Sequence, residues 1–471
     1  MNIHIRNLFL LPALIASFSL ILAGRVSART FTPLHTFTNT NSDGMSPNAG
    51  LLLSGNTLYG TTIYGGSAAN GSVFRVNTDG TAFTNLHSFT LTSGSASTNK
   101  DGANPYAGLI LSGNTLYGAA FAGGFAGNGT VFAVNTDGLA FTNLHNFTAL
   151  AAGLNTDGAG PLAGLFLSGN LLYGTAGSGG SSGNGTFFEV TTDGTGFTPL
   201  RSFATTNGNG PNAGLLSGNT LYGTAPFGGS SGNGTVFRIN TDGLGFTNLH
   251  NFAGGTGGRV PNPGLVLLGN TLYGTAAAGG NSAKGTVFAV NTDGSDFTNL
   301  YHFTATAGAN STNSDGAVPA DGLILSGNTL YGTAQHGGNA GNGTVFAVNT
   351  DGTHFTNLYS FSALIAGFNS DGTTPEAGLV LAANTLYGTA MNGGGSGDGT
   401  VFSLSLGAVN EPLLAILRAG TNVIVTWPTN ATGFTLQSTT NLAAPVWVTV
   451  TGQNTVTNPI SGTQKLYRLS Q

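Results

Sequence analysis

Residues able to do chemistry are scarce in this chain. It has 471 residues and no cysteine, and its glutamates are Glu189, Glu376 and Glu411 alone. A thiol nucleophile, a thiolate metal site and a disulfide framework are therefore excluded. Glu376 and Asp321 fall where repeated segments of the chain diverge. A carboxylate pair acting on a glycosidic bond is one reading of them; solvated loop charges are the preferred one, so no catalytic residue is assigned. His35, His87, His145 and His250 recur at one repeat position, which Arg201, Tyr301 and Tyr359 also occupy. A position that accepts all three types reads as structural, not as a metal ligand. Asp79, Asp137, Asp193, Asp242, Asp293 and Asp351 each precede a glycine in a tight turn, and they read as turn residues. A second set, Asp43, Asp101, Asp157, Asp315 and Asp371, also stands before glycine. Asn39, Asn41 and Asp43 resemble the start of a calcium loop, but no bidentate Glu follows at its twelfth position. Asx-turns account for this set, and no metal or other cofactor is expected, calcium being the one ion weighed. The G-x-S-x-G strings at 179–183 and 228–232 follow no parallel strand and open no helix, so they form no nucleophile elbow.

The elements that hold these residues come from repeats. Leu-Tyr-Gly occurs at Leu58, Leu116, Leu172, Leu221, Leu272, Leu330 and Leu386, at intervals of 49 to 58 residues. That is the period of a propeller blade. One unit runs from the apolar stretch Leu51-Leu52-Leu53 through Thr57-Leu58-Tyr59-Gly60 and Ser72-Val73-Phe74-Arg75-Val76 to Phe83-Thr84-Asn85-Leu86-His87-Ser88-Phe89. Turn residues separate these four short strands. Consecutive apolar residues in the first strand point to burial on both faces, and Phe83, Leu86 and Phe89 carry the apolar side of the fourth.

The ends of the array point to a ring. The last unit stops at Val401-Phe402-Ser403-Leu404 without a fourth strand, and Phe31-Thr32-Pro33-Leu34-His35-Thr36-Phe37 supplies one ahead of the first unit. An open solenoid has no use for this offset, whereas a closed sheet circle loses an edge by it. The fold class read is all-β: a seven-bladed β-propeller over 29–406, closed by an N-terminal outer strand. A linker over 407–412 and a small β-sandwich-like module over 413–471 follow, with strands expected at 422–427, 434–437, 446–450 and 466–469.

Strand order puts the near-constant first-to-second and third-to-fourth turns on one rim. The second-to-third loops and the inter-blade connections share the other rim, where the units diverge. Asn48, Tyr106, Leu162, Asn212, Asn262, Ala320 and Glu376 occupy one equivalent position before the first strand. Variation over a constant scaffold is where recognition is usually housed. The binding residues assigned on this rim are Tyr64, Tyr106, Phe121, Phe227, Gln335, His336, Glu376 and Asp321. The aromatic members suit stacking on sugar rings or anchoring a protein.

Composition narrows the partners. Charged residues make up 6% of the chain and its formal charge is −5, which excludes a polybasic nucleic-acid binder. Hydrophobic content of 40% with 30 Phe argues against disorder despite 78 Gly. Residues 1–28 read as a secretory signal peptide: Arg6, an apolar run from Leu8 to Ala23, then Val26-Ser27-Ala28. Arg25 stands where a lipobox would need Cys. The expected product is a secreted or surface-exposed monomer, with the periplasm as a further location. It does not insert in a membrane, and it binds a glycan or a surface protein without catalysis. The alternatives weighed are a carbohydrate-active enzyme with acids near the channel and a structural envelope component.

The unit from Asp101-Gly102-Ala103-Asn104-Pro105-Tyr106-Ala107-Gly108-Leu109 through Leu116-Tyr117-Gly118 to Gly129-Thr130-Val131-Phe132 resembles the Gloeobacter/Verrucomicrobia tandem repeat of "choice-of-anchor" proteins. The resemblance covers roughly residues 31–404. It implies a secreted or surface protein with a variable C-terminal attachment module, and it carries no established activity. The segment from 413 resembles the small Ig- or fibronectin-like terminal module of such proteins, ending near Tyr467-Arg468-Leu469.

Overall fold

The computed structural model describes residues 29–38 and 43–407, and further on 415–419, 422–426, 435–439, 448–450, 455–459 and 466–470. The expected signal peptide, Asn39, Asn41 and most of the expected linker lie outside these residues. The described chain is built of β-strands, with one 3-10 turn at Gly255–Gly257.

Residues 29–406 form one unit of seven antiparallel sheets. Blade 1 uses Leu52–Ser54, Thr57–Gly65, Ser72–Asn77 and Thr84–Ser88. Blades 2 to 6 span 110–146, 166–202, 212–251, 266–302 and 324–360. Blade 7 takes Val380–Ala382, Thr385–Ala390 and Thr400–Ser405 from one end of the array and Phe31–Thr36 from the other. Phe31 pairs with Leu404 and Thr36 with Thr400. The offset strand therefore closes the ring.

The core lies between blades, in seven repeated clusters. The cluster between blades 1 and 2 packs Tyr59, Val73, Leu86 and Phe89 against Leu109, Leu116, Phe132 and Val134. The closing cluster sets Phe37, Tyr387 and Val401 against Leu51, Leu58, Phe74 and Val76. Each fully buried Phe contributes about 2–3 kcal/mol of apolar transfer, so ring closure is favoured at every seam. The inner strands are half-buried, not fully buried as expected. Leu52 leans on the core shared with blade 2 and Leu53 on the core shared with blade 7. A two-sided wedge needs apolar residues in succession even while its end stays wet.

Two features were not legible as strand pattern. Every fourth strand carries a register shift, as where Phe74 pairs with Asn85 but Val73 with His87, leaving Leu86 as the bulged residue. The bulge explains why Phe83, Leu86 and Phe89 recur every third residue instead of alternating. The inter-blade segment also pairs with the far end of the second strand before it turns to the axis. Met45 pairs with Tyr64, Arg259 with Ala278 and Ala317 with His336, and isolated bridges do the same elsewhere, such as Ala103 with Ala122. Glycine is required where that segment crosses its neighbour. Gly129 has φ +97°, and a Cβ there would lie 2.8 Å from Pro161 Cδ and 2.4 Å from the Ala120 carbonyl oxygen.

A separate unit begins at Gly407. Its strands Ala415–Ala419, Asn422–Thr426 and Thr455–Pro459 form one antiparallel sheet, and Val448–Thr449, Thr435–Thr439 and Leu466–Ser470 form another. Val425 and Leu436 are its buried centre. The strands Ala415–Ala419 and Thr455–Pro459 were not read from the sequence.

Candidate functional site at the propeller axis

Each blade delivers one short segment to the axis: a proline, a variable residue, a residue that is alanine in five blades, a glycine and a leucine. The proline packs on the preceding blade's glycine, as Pro161 does on Gly129, and the leucine enters the inter-blade core, as Leu109 and Leu165 do. Between these two anchors the variable residue faces the axis. Threonines of the second strand tie the segments together. Thr61 Oγ1 donates to the Ala107 carbonyl at 3.2 Å, Thr275 to that of Asp321 at 3.0 Å and Thr333 to that of Ala377 at 3.0 Å.

The result is a cavity of about 490 Å³ on the axis of the divergent rim, lined by segments from all seven blades. Its ring is Asn48, Tyr106, Leu162, Asn212, Asn262, Ala320 and Glu376, and Gln335 and Asp321 line it as well. Neighbouring backbones close in beneath. A Cβ on Gly264, whose φ is +76°, would lie 2.4 Å from Gly322 Cα.

Glu376 is held from both sides. Asn48 Nδ2 donates to its Oε2 at 2.6 Å, and the Gln335 amide donates to its Oε1. Asn262 Nδ2 reaches across to the Pro319 carbonyl at 2.6 Å and to Thr275 Oγ1 at 2.9 Å. Asp321 occupies a position that is alanine in five blades and proline in blade 5, and its Oδ2 accepts the Gly378 N–H at 2.8 Å. Burial raises its pKa above the ordinary carboxylate range, outweighing the backbone N–H groups of Gly322 and Gly378 that pull it down. Burial also pushes the Tyr106 phenol up to about 12, helped by its hydrogen bond with Tyr64 and by the charge of Glu376.

The structure gathers half of the expected binding residues into this cavity: Tyr106, Gln335, Asp321 and Glu376. Tyr64 joins from the edge through Tyr106. Phe121 packs edge-on against the Tyr106 ring at 5.6 Å and is 39% exposed. Phe227 lines neither this cavity nor the next, and it stands 54% exposed. His336 faces a second cavity between blades 5 and 6. Asn48, Asn212 and Asn262 belong to the ring although they were not assigned as binding residues; their equivalence to Tyr106 and Glu376 in the repeat was the signal.

The recurring His/Arg/Tyr position is a circumferential latch. His87 stacks on Phe141 of the next blade at 3.7 Å, Arg201 lies over Phe246 at 4.2 Å and Tyr359 stacks on Phe31 at 4.1 Å. A flat π-system or guanidinium satisfies this slot, which is why three residue types share it. Five of these residues also meet the second aspartate set. His87 Nε2 donates to Asp101 Oδ2 at 3.0 Å, and Tyr301 and Tyr359 donate to Asp315 and Asp371 at 2.8 and 2.7 Å. Those aspartates are thus buried latch partners and not the Asx-turn residues expected. It is the neighbouring asparagine that makes the turn, Asn99 Oδ1 accepting the Gly102 N–H at 2.9 Å.

A sequence profile of the Gloeobacter/Verrucomicrobia repeat matches residues 95–267, 215–314 and 269–440. The chain belongs to the Gloeobacter/Verrucomicrobia repeat family. No curated protein matches the chain in sequence. Among solved structures the repeat array is similar in fold to an oligogalacturonate lyase from Vibrio parahaemolyticus, at TM-score 0.50 and 9% identity over 80% of this chain and 93% of that one. A puromycin-hydrolyzing peptidase from Mycobacterium tuberculosis aligns at TM-score 0.48 and 11% identity over 83% and 60%. A chain of a nidogen/laminin complex aligns at 0.39 and 14% over 64% and 91%. At 9% identity the likeness to the lyase is one of fold and nothing finer. Among the described residues no helix is long and apolar enough to cross a membrane.

Proposed function

We propose that the protein is an exported binding propeller that seats the end of a glycan chain in its axial cavity. One observation carries this reading: a single concave site receives one residue from each blade, and those seven residues are of five types while the scaffold beneath them repeats. The cavity falls in the range that holds a small ligand. Its amide, carboxyl and phenol groups give a polar lining for hydroxyl groups, and the Tyr106–Phe121 pair offers an aromatic edge and face at the rim. A concave, amide-rich site fits a sugar better than the flat surface of a protein. On this reading residues 1–28 are the export signal and the module beyond 413 is the attachment module of a "choice-of-anchor" protein.

A second reading rests on the two carboxyl groups, Asp321 and Glu376, that line the same cavity. One is desolvated, which raises its pKa, and the other is held by amide donors. That contrast of environments suits acid–base cleavage of a glycosidic link. A glycan array followed by calorimetry on the best ligand decides between the two. Binding is expected with no change in the sugar, and Tyr106→Ala and Glu376→Gln each weaken it about tenfold or more. Product formation that Asp321→Asn abolishes would replace the binding reading with the catalytic one. An array with no bound glycan would remove both.

A further inference from the structure

The second-to-third loop of each blade ends on a residue just before Gly-Thr-Val-Phe or its variant. This residue is Asn70, Asn128, Asn184, Asn233 and Asn342 in five blades and Asp398 in blade 7. The asparagines brace their own blade: Asn70 Nδ2 donates to the Thr90 carbonyl at 2.6 Å, Asn128 to that of Thr148 at 2.6 Å and Asn342 to that of Ser362 at 2.5 Å. Blade 5 has Lys284 instead. A lysine cannot copy the amide's short reach, and Lys284 lines a cavity of about 290 Å³ between blades 5 and 6. Among the described residues it forms no ion pair.

Beside Lys284 the cavity is lined by His336, Thr306, Ser311 and Asn310, which can donate hydrogen bonds, and by Ala309, Ala317, Val318 and Gly341, which make its apolar wall. In a chain with 6% charged residues, a cation without an ion-pair partner beside hydroxyl, amide and imidazole groups suits an oxyanion. The recess also borders the axial cavity. Val318 lines both, and His336 feels the charges of Glu376 on the axial side and Lys284 on the other. Glu376 repels an anion from the axis, so an acidic group on a ligand is directed to the Lys284 end.

Resting on the glycan reading above, we propose that Lys284 and His336 form an acidic subsite. It receives the carboxylate or sulfate of the same saccharide whose neutral end occupies the axial cavity. The ligand class is thus an acidic oligosaccharide, oriented with its charge toward the seam of blades 5 and 6.

Calorimetry with three trimers tests this on the full chain: a 1,4-linked uronic acid, its methyl ester and an O-sulfated neutral counterpart. At low salt the protein is expected to bind one of the acidic trimers at least tenfold tighter than the ester, and the preferred one identifies the acidic group. Lys284→Met should bring acid and ester within about twofold, Lys284→Arg should keep the preference, and Tyr106→Ala should weaken both ligands. An unchanged melting curve shows that Lys284→Met is folded. Equal binding of acid and ester by the unaltered protein overturns the subsite and leaves the glycan reading standing, as does a Lys284→Met variant that keeps the preference. Lys284-dependent binding that Tyr106→Ala does not touch overturns the shared ligand, and no binding of any trimer removes both readings.

Discussion

The latch shows how much one residue depends on its partner across the seam. Asp101 accepts from His87, from the Thr90 N–H at 3.1 Å and from the Thr90 hydroxyl. Burial alone would raise its pKa, but the hydrogen bonds from His87 and Thr90 outweigh burial and hold it below the ordinary value. Asp43 and Asp157 behave alike. A carboxyl whose folded pKa is depressed stabilises the fold above its unfolded value, and that stability is lost as pH falls through the folded one. The melting temperature should therefore drop on acidification below about pH 4. Asp101→Asn should shrink that drop while costing about 1–3 kcal/mol at neutral pH, measured by denaturant titration. His250 is the instructive exception. Its slot keeps the stacking on Phe297 at 3.5 Å, but Gly257 stands where the aspartate would be and Ala253 where the threonine would be. Burial lowers its pKa to about 4. It contributes stability above its unfolded value of about 6.5 that is lost between there and about 4. A Cβ at Gly257 meets open space. Gly257→Asp combined with Ala253→Thr should complete the latch, raise the His250 pKa by NMR titration and flatten the loss of stability between those values. An unmoved His250 resonance would refute the assignment.

At the scale of the element, the N-terminal strand matters most. Phe31 stacks on Tyr359 of blade 6 and on Phe402 of its own blade, at 4.1 and 5.0 Å, and Phe37 is fully buried against blade 1. The strand and the one residue after it thus hold two seams. Deleting residues 29–38 should lower the melting temperature sharply by exposing the third strand of blade 7 as an open edge. Phe37→Ala alone should cost about 3–5 kcal/mol. A deletion variant with an unchanged melting curve would mean that the ring does not need this strand.

At the scale of the whole molecule, closure is what makes a site. The seven axial residues are separated by tens of residues in sequence, and they line one cavity only because seven seams turn the chain through a full circle. Moving residues 29–38 to follow Leu406 through a short glycine linker should restore both the melting temperature of the deletion variant and any axial ligand binding. Restored stability without restored binding would show that the cavity depends on more than closure.

Much of this was legible in the residues themselves. Leu-Tyr-Gly set the number of blades, the unpaired Phe31–Phe37 segment foretold the ring, and the divergent position before Ala-Gly-Leu marked the axial residues. Those signals are local or periodic, so a single chain displays them. The rest was a matter of distance across seams. The pairing of His87 with Asp101 leaves a trace in sequence, since the loops after Arg201 and His250 lack both the aspartate and the threonine, but only the bulge at Leu86 aims the imidazole at the carboxylate. Tyr106, Glu376 and Asp321 meet while Phe227, equally divergent and equally aromatic, stays outside. Sequence by itself determined which positions repeat and which vary. Tertiary structure decided which varying positions face one another, because the curvature of a closed ring is set by the packing of all its seams together and by no single repeat.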